Sequence, residues 1–148
     1  MVQTVTCGRM DEPRYELRVA PQDAFDATIG FVTAPDDEIG RCTGRLEVTP
    51  RVCQPMGIIH GGVYAAMAET LASQGTARAV MGDGKVPLGM SNNTSFLRPV
   101  SAGSVRAEAT AIHRGRTTWV WDVQMRDDEG RLCATSRVTI AVRDHGPR

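Results

Sequence analysis

The stretch Cys53–Ala77, CQPMGIIHGGVYAAMAETLASQGTA, decides how the rest of the chain folds. From Gly61 onward it carries Val63, Tyr64, Ala65, Ala66, Met67, Ala68, Leu71 and Ala72, and the sole ionised side chain among them is Glu69. A segment this apolar reads as a buried helix. It starts near Gly61 or Gly62, because Pro55 and Gly57 keep the preceding residues irregular, and it runs to about Val80 or Met81, where Gly82-Asp83-Gly84 stops it. Gly62, Ala65, Ala66, Ala68, Ala72 and Gly75 are small, which suits a helix pressed closely on a sheet or another helix. Burying a carboxylate without partners is costly, so Glu69 is kept there either by structural hydrogen bonds or for chemistry.

Working outward, Thr28-Ile29-Gly30-Phe31-Val32 reads as a short strand ended by the turn signal Ala34-Pro35-Asp36-Asp37. Cys42, Gly44, Leu46 and Val48 then alternate with Arg41, Thr43, Arg45 and Glu47, the period of a half-buried strand, and the two strands make a hairpin. Beyond the helix, strand follows strand. Leu88–Leu97 is ended by Arg98-Pro99, Val105 to Ala111 alternates small apolar with polar residues, and Trp119, Trp121, Val123 and Met125 share one face. Asp127-Asp128-Glu129-Gly130 turns the chain into a last strand with Leu132, Ala134, Ser136, Val138, Ile140 and Val142 inside. Two strands, one long helix and four strands define an α+β domain whose antiparallel sheet lays one face on the helix. Residues 1–148 form a single domain, with 1–20 a variable lead-in and 144–148 a polar tail.

Composition excludes several functions. The 148 residues carry zero formal net charge, so nucleic acid is not an expected partner. No run of 18 apolar residues and no signal-like N-terminus occur, so the expectation is a cytoplasmic protein with no membrane partner. Cys7, Cys42, Cys53 and Cys133 lack CxxC spacing, and His60, His113 and His145 are scattered, so no metal site is expected.

The helix start is suited to an anion. Its unpaired amides and the positive end of its dipole stabilise negative charge developing on a bound oxygen, and Gly61 and Gly62 allow close approach. Combined with Glu69, this suggests acyl transfer to water, with Glu69 as nucleophile or as base toward water. Ser73, one turn further on the same face, can orient the water or the carboxylate, or be a small packing residue. Gln54 can donate its amide to the carbonyl oxygen or bond to the loop backbone, and His60 can cap or orient the helix start.

The segments QPMGIIHGGVYAAMAETLAS, SNNTSFLRPV, VRAEATAIHRGRTTWVWDVQMRDDEGRLCA and TIAVR resemble the hotdog-fold thioesterases, most closely the 4-hydroxybenzoyl-CoA type with its acid as glutamate on the long helix. The likeness spans roughly residues 28–143. It implies a six-stranded antiparallel sheet wrapped around one central helix, and a homodimer with joined sheets that commonly forms a tetramer. It also implies Glu69 as catalytic carboxylate, Gly61 as oxyanion amide, Gln54 as assisting amide and Ser73 as hydroxyl partner, where the nearest relatives have threonine. Arg98 and Thr117 match positions associated with the CoA nucleotide, and Arg116 replaces a serine there. No cofactor is implied, since CoA is part of the substrate.

The reading is therefore hydrolysis of an aromatic acyl-CoA, 4-hydroxybenzoyl-CoA first. The alternatives are a phenylacetyl- or dihydroxynaphthoyl-CoA hydrolase and a non-catalytic acyl-CoA-binding module. Helix geometry adds one more expectation, that two subunits share each active site.

Overall fold

The computed structural model describes residues 19–34 and 38–145. Six strands form one antiparallel sheet: β1 (Phe31–Thr33), β2 (Arg41–Glu47), β3 (Lys85–Phe96), β4 (Ser104–Arg114), β5 (Thr118–Asp127) and β6 (Leu132–Asp144). Their order across the sheet is β1-β2-β4-β5-β6-β3. The sheet curls around one long helix, α2 (Gly61–Val80), which is the hotdog architecture expected of the sequence.

The central stretch folds as its composition dictates. Val63, Tyr64, Met67, Ala68, Leu71, Ala72, Gly75 and Thr76 are buried, and they meet Leu46, Val105, Trp121, Val123, Met125, Val138 and Ile140 from the sheet. Contact is closest at Gly75, where a Cβ would lie 2.5 Å from the Trp121 ring and 2.6 Å from Cys42 Sγ. Trp121 also donates through Nε1 to Thr76 Oγ1 at 3.0 Å, and that hydroxyl donates to the Ala72 carbonyl at 2.8 Å. This buried Trp121–Thr76 pair is thus satisfied, as burial favours. After Val80 a short 3-10 turn, Met81–Asp83, leads into Gly84 at φ 73°, a left-handed conformation that ends the helix.

Period-two alternation is obeyed in β2 and β5, in β4 from Val105 to Thr110 and in the middle of β6, with Cys42, Gly44 and Leu46 facing inward opposite Ala109, Ala107 and Val105. The β5–β6 hairpin turns at Gly130, φ 77°, where Asp127 accepts from the N–H groups of Glu129 and Arg131.

Three expectations need correction. Thr28 and Ile29 belong to a short helix, α1 (Phe25–Ile29), not to a strand. Gly30 at φ 74° ends it, and Thr70 on α2 donates to Asp26 Oδ1 at 2.6 Å, so tertiary contact outweighs the strand preference of Thr-Ile. The hairpin survives with Phe31 opposite Leu46, while Pro35, Asp36 and Asp37 lie outside the described residues, as does the lead-in up to residue 18. Strand β3 begins at Lys85 rather than Leu88 and includes Pro87, which is tolerated because β3 is an edge strand. Strand β6 continues to Asp144, which pairs with Lys85, so the polar end of the chain is partly sheet.

Candidate active site

The loop before α2 is closed by its own backbone. Gln54 donates to the Ile58 carbonyl at 2.8 Å, Cys53 bridges to Ile59, and His60 donates to the Val52 carbonyl at 2.9 Å. Gly57 at φ 79° makes the turn. Gln54 and His60 are thereby fixed at the helix start. His60 is the N-cap: its Nδ1 accepts from the Gly62 N–H at 2.9 Å, so that nitrogen carries no proton. The Gly61 N–H, one residue earlier, meets no acceptor among the described residues. Gln54 Oε1 accepts from the Met56 N–H at 3.1 Å, which leaves its Nε2 amide as the donor end. The Phe96 ring covers this region, 2.6 Å from where a Gly61 Cβ would sit, and tilts against Tyr64 at 6.2 Å between ring centres.

Two turns along α2, Glu69 is half-buried rather than buried. Its flank of the helix faces β3 at the sheet's edge, where Gly89 offers no side chain to cover it. Ser73 Oγ donates to Oε1 at 3.4 Å, and Asn92 Nδ2 donates to Oε2 at 3.3 Å. Asn92 also donates to the Ala65 carbonyl at 2.9 Å, while its Oδ1 accepts from Thr94 Oγ1 at 2.8 Å and from Ser136 Oγ at 2.9 Å. Asn92 was not among the candidate residues, although its signal was present. Ser91-Asn92-Asn93-Thr94-Ser95 is a polar run inside a strand, and any member facing the core must find partners there.

Not every expected residue is brought together. Gly61 and Glu69 are separated by about 12 Å along the helix. Arg98 donates its N–H to the Cys133 carbonyl, whereas the Thr117 carbonyl accepts from Val142, so Arg98 and Thr117 flank opposite ends of β6, roughly 30 Å apart. One chain therefore does not unite Arg98 with Arg116 and Thr117 around one phosphate group. The groove of about 1070 Å³ on the outer face of β2, β4 and β5 contains Arg45, Arg106 and Arg126 but neither Gly61 nor Glu69. Burial pushes the Cys133 thiol up, which disfavours a thiolate nucleophile there. Among the described residues no group of three His, Cys, Asp or Glu could hold a metal ion, and no helix is long and apolar enough to cross a membrane.

A helix start with a free glycine amide and a tethered carboxylate on the same helix suit acyl transfer to water, and the comparisons place the chain accordingly. The Thioesterase superfamily profile matches residues 56–134, and the chain belongs to that family. It is an acyl-CoA thioester hydrolase. A 1,4-dihydroxy-2-naphthoyl-CoA hydrolase from Listeria monocytogenes is 42% identical over 72% of this chain and 85% of its own. The proofreading thioesterase EntH of Klebsiella pneumoniae is 38% identical over 71% of this chain and 76% of its own. The crystal structure of a thioesterase from Haemophilus influenzae superposes with a TM-score of 0.77 at 34% identity, covering 83% of this chain and 85% of that one.

Proposed function

We propose that the protein hydrolyses an aromatic acyl-CoA, with 4-hydroxybenzoyl-CoA the first candidate, in a site that two subunits build together. The observation carrying this reading is the placement of Glu69: a carboxylate held by Ser73 and Asn92 on the open flank of α2, too far from its own Gly61 to serve the same carbonyl. The thioester oxygen accepts from the Gly61 N–H of one chain, assisted by the Gln54 amide. Glu69 of the other chain either takes a proton from water as its oxygen attacks the carbonyl carbon, or attacks that carbon itself to give an anhydride that water then cleaves. In both routes the C–S bond breaks, the thiolate of CoA leaves, and negative charge on the former carbonyl oxygen is stabilised by the helix start.

Strand β3 supports the dimer. It is an edge strand, with open hydrogen-bonding groups, and Leu88, Met90 and Phe96 on it are 54%, 61% and 59% exposed. Joining β3 to β3 of a second copy covers that edge and sets two copies of α2 antiparallel, Gly61 beside Glu69 twice per dimer. Arg98, Arg116 and Thr117 are then assigned to CoA phosphates as contributions of different subunits or to different phosphates.

A fused-ring substrate is the second reading, favoured by the dihydroxynaphthoyl-CoA activity named for the Listeria relative. A thiol-release assay over a panel of aryl- and alkyl-CoA esters tests both. The proposal expects the highest kcat/KM with a single-ring aroyl-CoA; a preference for fused-ring esters selects the second reading, and a preference for straight-chain alkyl esters contradicts both.

A further inference from the structure

We infer that Asn92 is the positioning residue for Glu69, aimed at it by the β-bulge at Met90. The inference rests on the reading of Glu69 given above. Along β3, Gly89 pairs with Ile140 and Ser91 with Thr139, so Met90 is an extra residue and the register shifts there. Ile140 and Val138 face the core. Gly89, opposite Ile140, faces inward too, and its would-be Cβ lies 2.2 Å from Glu69 Oε1. Simple alternation from Gly89 would turn Ser91 and Asn93 inward and Asn92 outward. The extra residue reverses this: Asn92 pairs with Val138 and Thr94 with Ser136, so both point at α2. Re-aiming one side chain beside a site is what bulges do.

The amide has one workable orientation. Its Oδ1 accepts from two hydroxyls, Thr94 at 2.8 Å and Ser136 at 2.9 Å. Those hydroxyls are 2.8 Å from one another, and Ser136 Oγ also lies 3.3 Å from the Asn93 carbonyl, so the cluster is connected on its sheet side. The Thr94 and Ser136 hydroxyls can serve either end of the amide, but a flipped Asn92 would set its Oδ1 against the Ala65 carbonyl and the Glu69 carboxylate, acceptor against acceptors. Nδ2 therefore points at α2, donating to the Ala65 carbonyl at 2.9 Å and to Glu69 Oε2 at 3.3 Å. With Ser73 on Oε1, the carboxylate is held at both oxygens, one partner from its own helix and one from the sheet. Fixing a flexible glutamate in one rotamer preserves its alignment with the attacked carbonyl, and misplacement by about 1 Å costs on the order of a hundredfold in rate.

The test compares Asn92→Leu and Asn92→Asp with wild type, by steady-state kinetics on the best aroyl-CoA and by crystal structures. Both variants keep the size of the side chain and lose the donor. The expected result is a fall in kcat of about ten- to a hundredfold with KM within about twofold, as for loss of a hydrogen bond to a charged group, and a displaced Glu69 carboxylate. Wild-type activity with either variant within about threefold in kcat, on the same scale, overturns the inference. If the wild type hydrolyses no ester tested, the proposed function fails and the structures decide: a Glu69 carboxylate that stays in place overturns the positioning role, and one that swings away upholds it. Asn92 is exposed on an edge strand, so failure of both variants to fold would assign it a structural role and overturn the inference as well.

Discussion

Gly89 on β3 lies so close to Glu69 on α2 that a Cβ at position 89 would stand 2.2 Å from Oε1. The neighbour is the end of a flexible side chain, so Gly89→Ala can be accommodated by moving the carboxylate rather than the backbone. The expected outcome is a near-wild-type melting temperature with kcat lowered about tenfold or more, in line with the sensitivity of catalysis to small misplacements. Kinetics and thermal melts on one preparation check it. Full activity would mean that the carboxylate need not occupy its observed position.

Gly75→Ala is expected to destabilise, although alanine is the better helix former. The added methyl meets Trp121 and Cys42 Sγ at 2.5 and 2.6 Å, both in the packed core. Overpacking of this kind costs about 1–3 kcal/mol, measurable by urea unfolding. A gain of roughly 0.5–1 kcal/mol, the value expected from helix propensity alone, would contradict the packing described.

Tyr64 is buried, and its hydroxyl finds no hydrogen-bond partner among the described residues. Burial pushes its ionisation up to about 12, with smaller contributions from Cys133 and Asp127. Because the folded state favours the neutral phenol, the stability linked to this group is fully present below the unfolded value near 10 and is lost as pH rises toward about 12. Tyr64→Phe is expected to raise stability by about 1 kcal/mol at neutral pH and to flatten that alkaline loss. A loss of similar size would reveal a partner for the hydroxyl.

The shared site predicts complementation. A Glu69→Ala chain and a chain altered at both Gly61 and Gln54 are each expected to be inactive. Refolded together, about half the dimers are mixed and each has one intact site, so activity returns to about a quarter of wild type. Mixtures that stay inactive after verified subunit exchange would show that each chain builds its own site.

Much of this was legible in residue order. The helix announced itself through a largely apolar run closed by Gly82-Asp83-Gly84, and four strands through alternation against a one-sided core. What failed depended on contacts distant in sequence. Thr28 and Ile29 have strand propensity, but Asp26 is tied to Thr70 across 44 residues. The polar run Ser91–Ser95 signalled that some member needs partners, but which member faces α2 is set by the bulge at Met90, which inverts the facing of every later residue in β3. Glu69 was expected to be buried because its sequence neighbours are apolar, yet the missing side chain that leaves it open belongs to Gly89, on another element. The distance between Arg98 and Thr117 along β6 is likewise a matter of topology that sequence spacing does not encode.

The central claim is that Glu69 carries the chemistry, and Glu69→Gln tests it most directly. The substitution keeps the side chain's shape and a hydrogen-bonding oxygen but removes the nucleophile or base. The measurement is single-turnover hydrolysis of the best aroyl-CoA by wild type and variant, with melting temperature and ester affinity as controls. The account predicts unchanged folding and binding with a rate lowered at least a hundredfold, the lower end of what acid–base assistance supplies. A variant that hydrolyses the ester within about tenfold of wild type would contradict it.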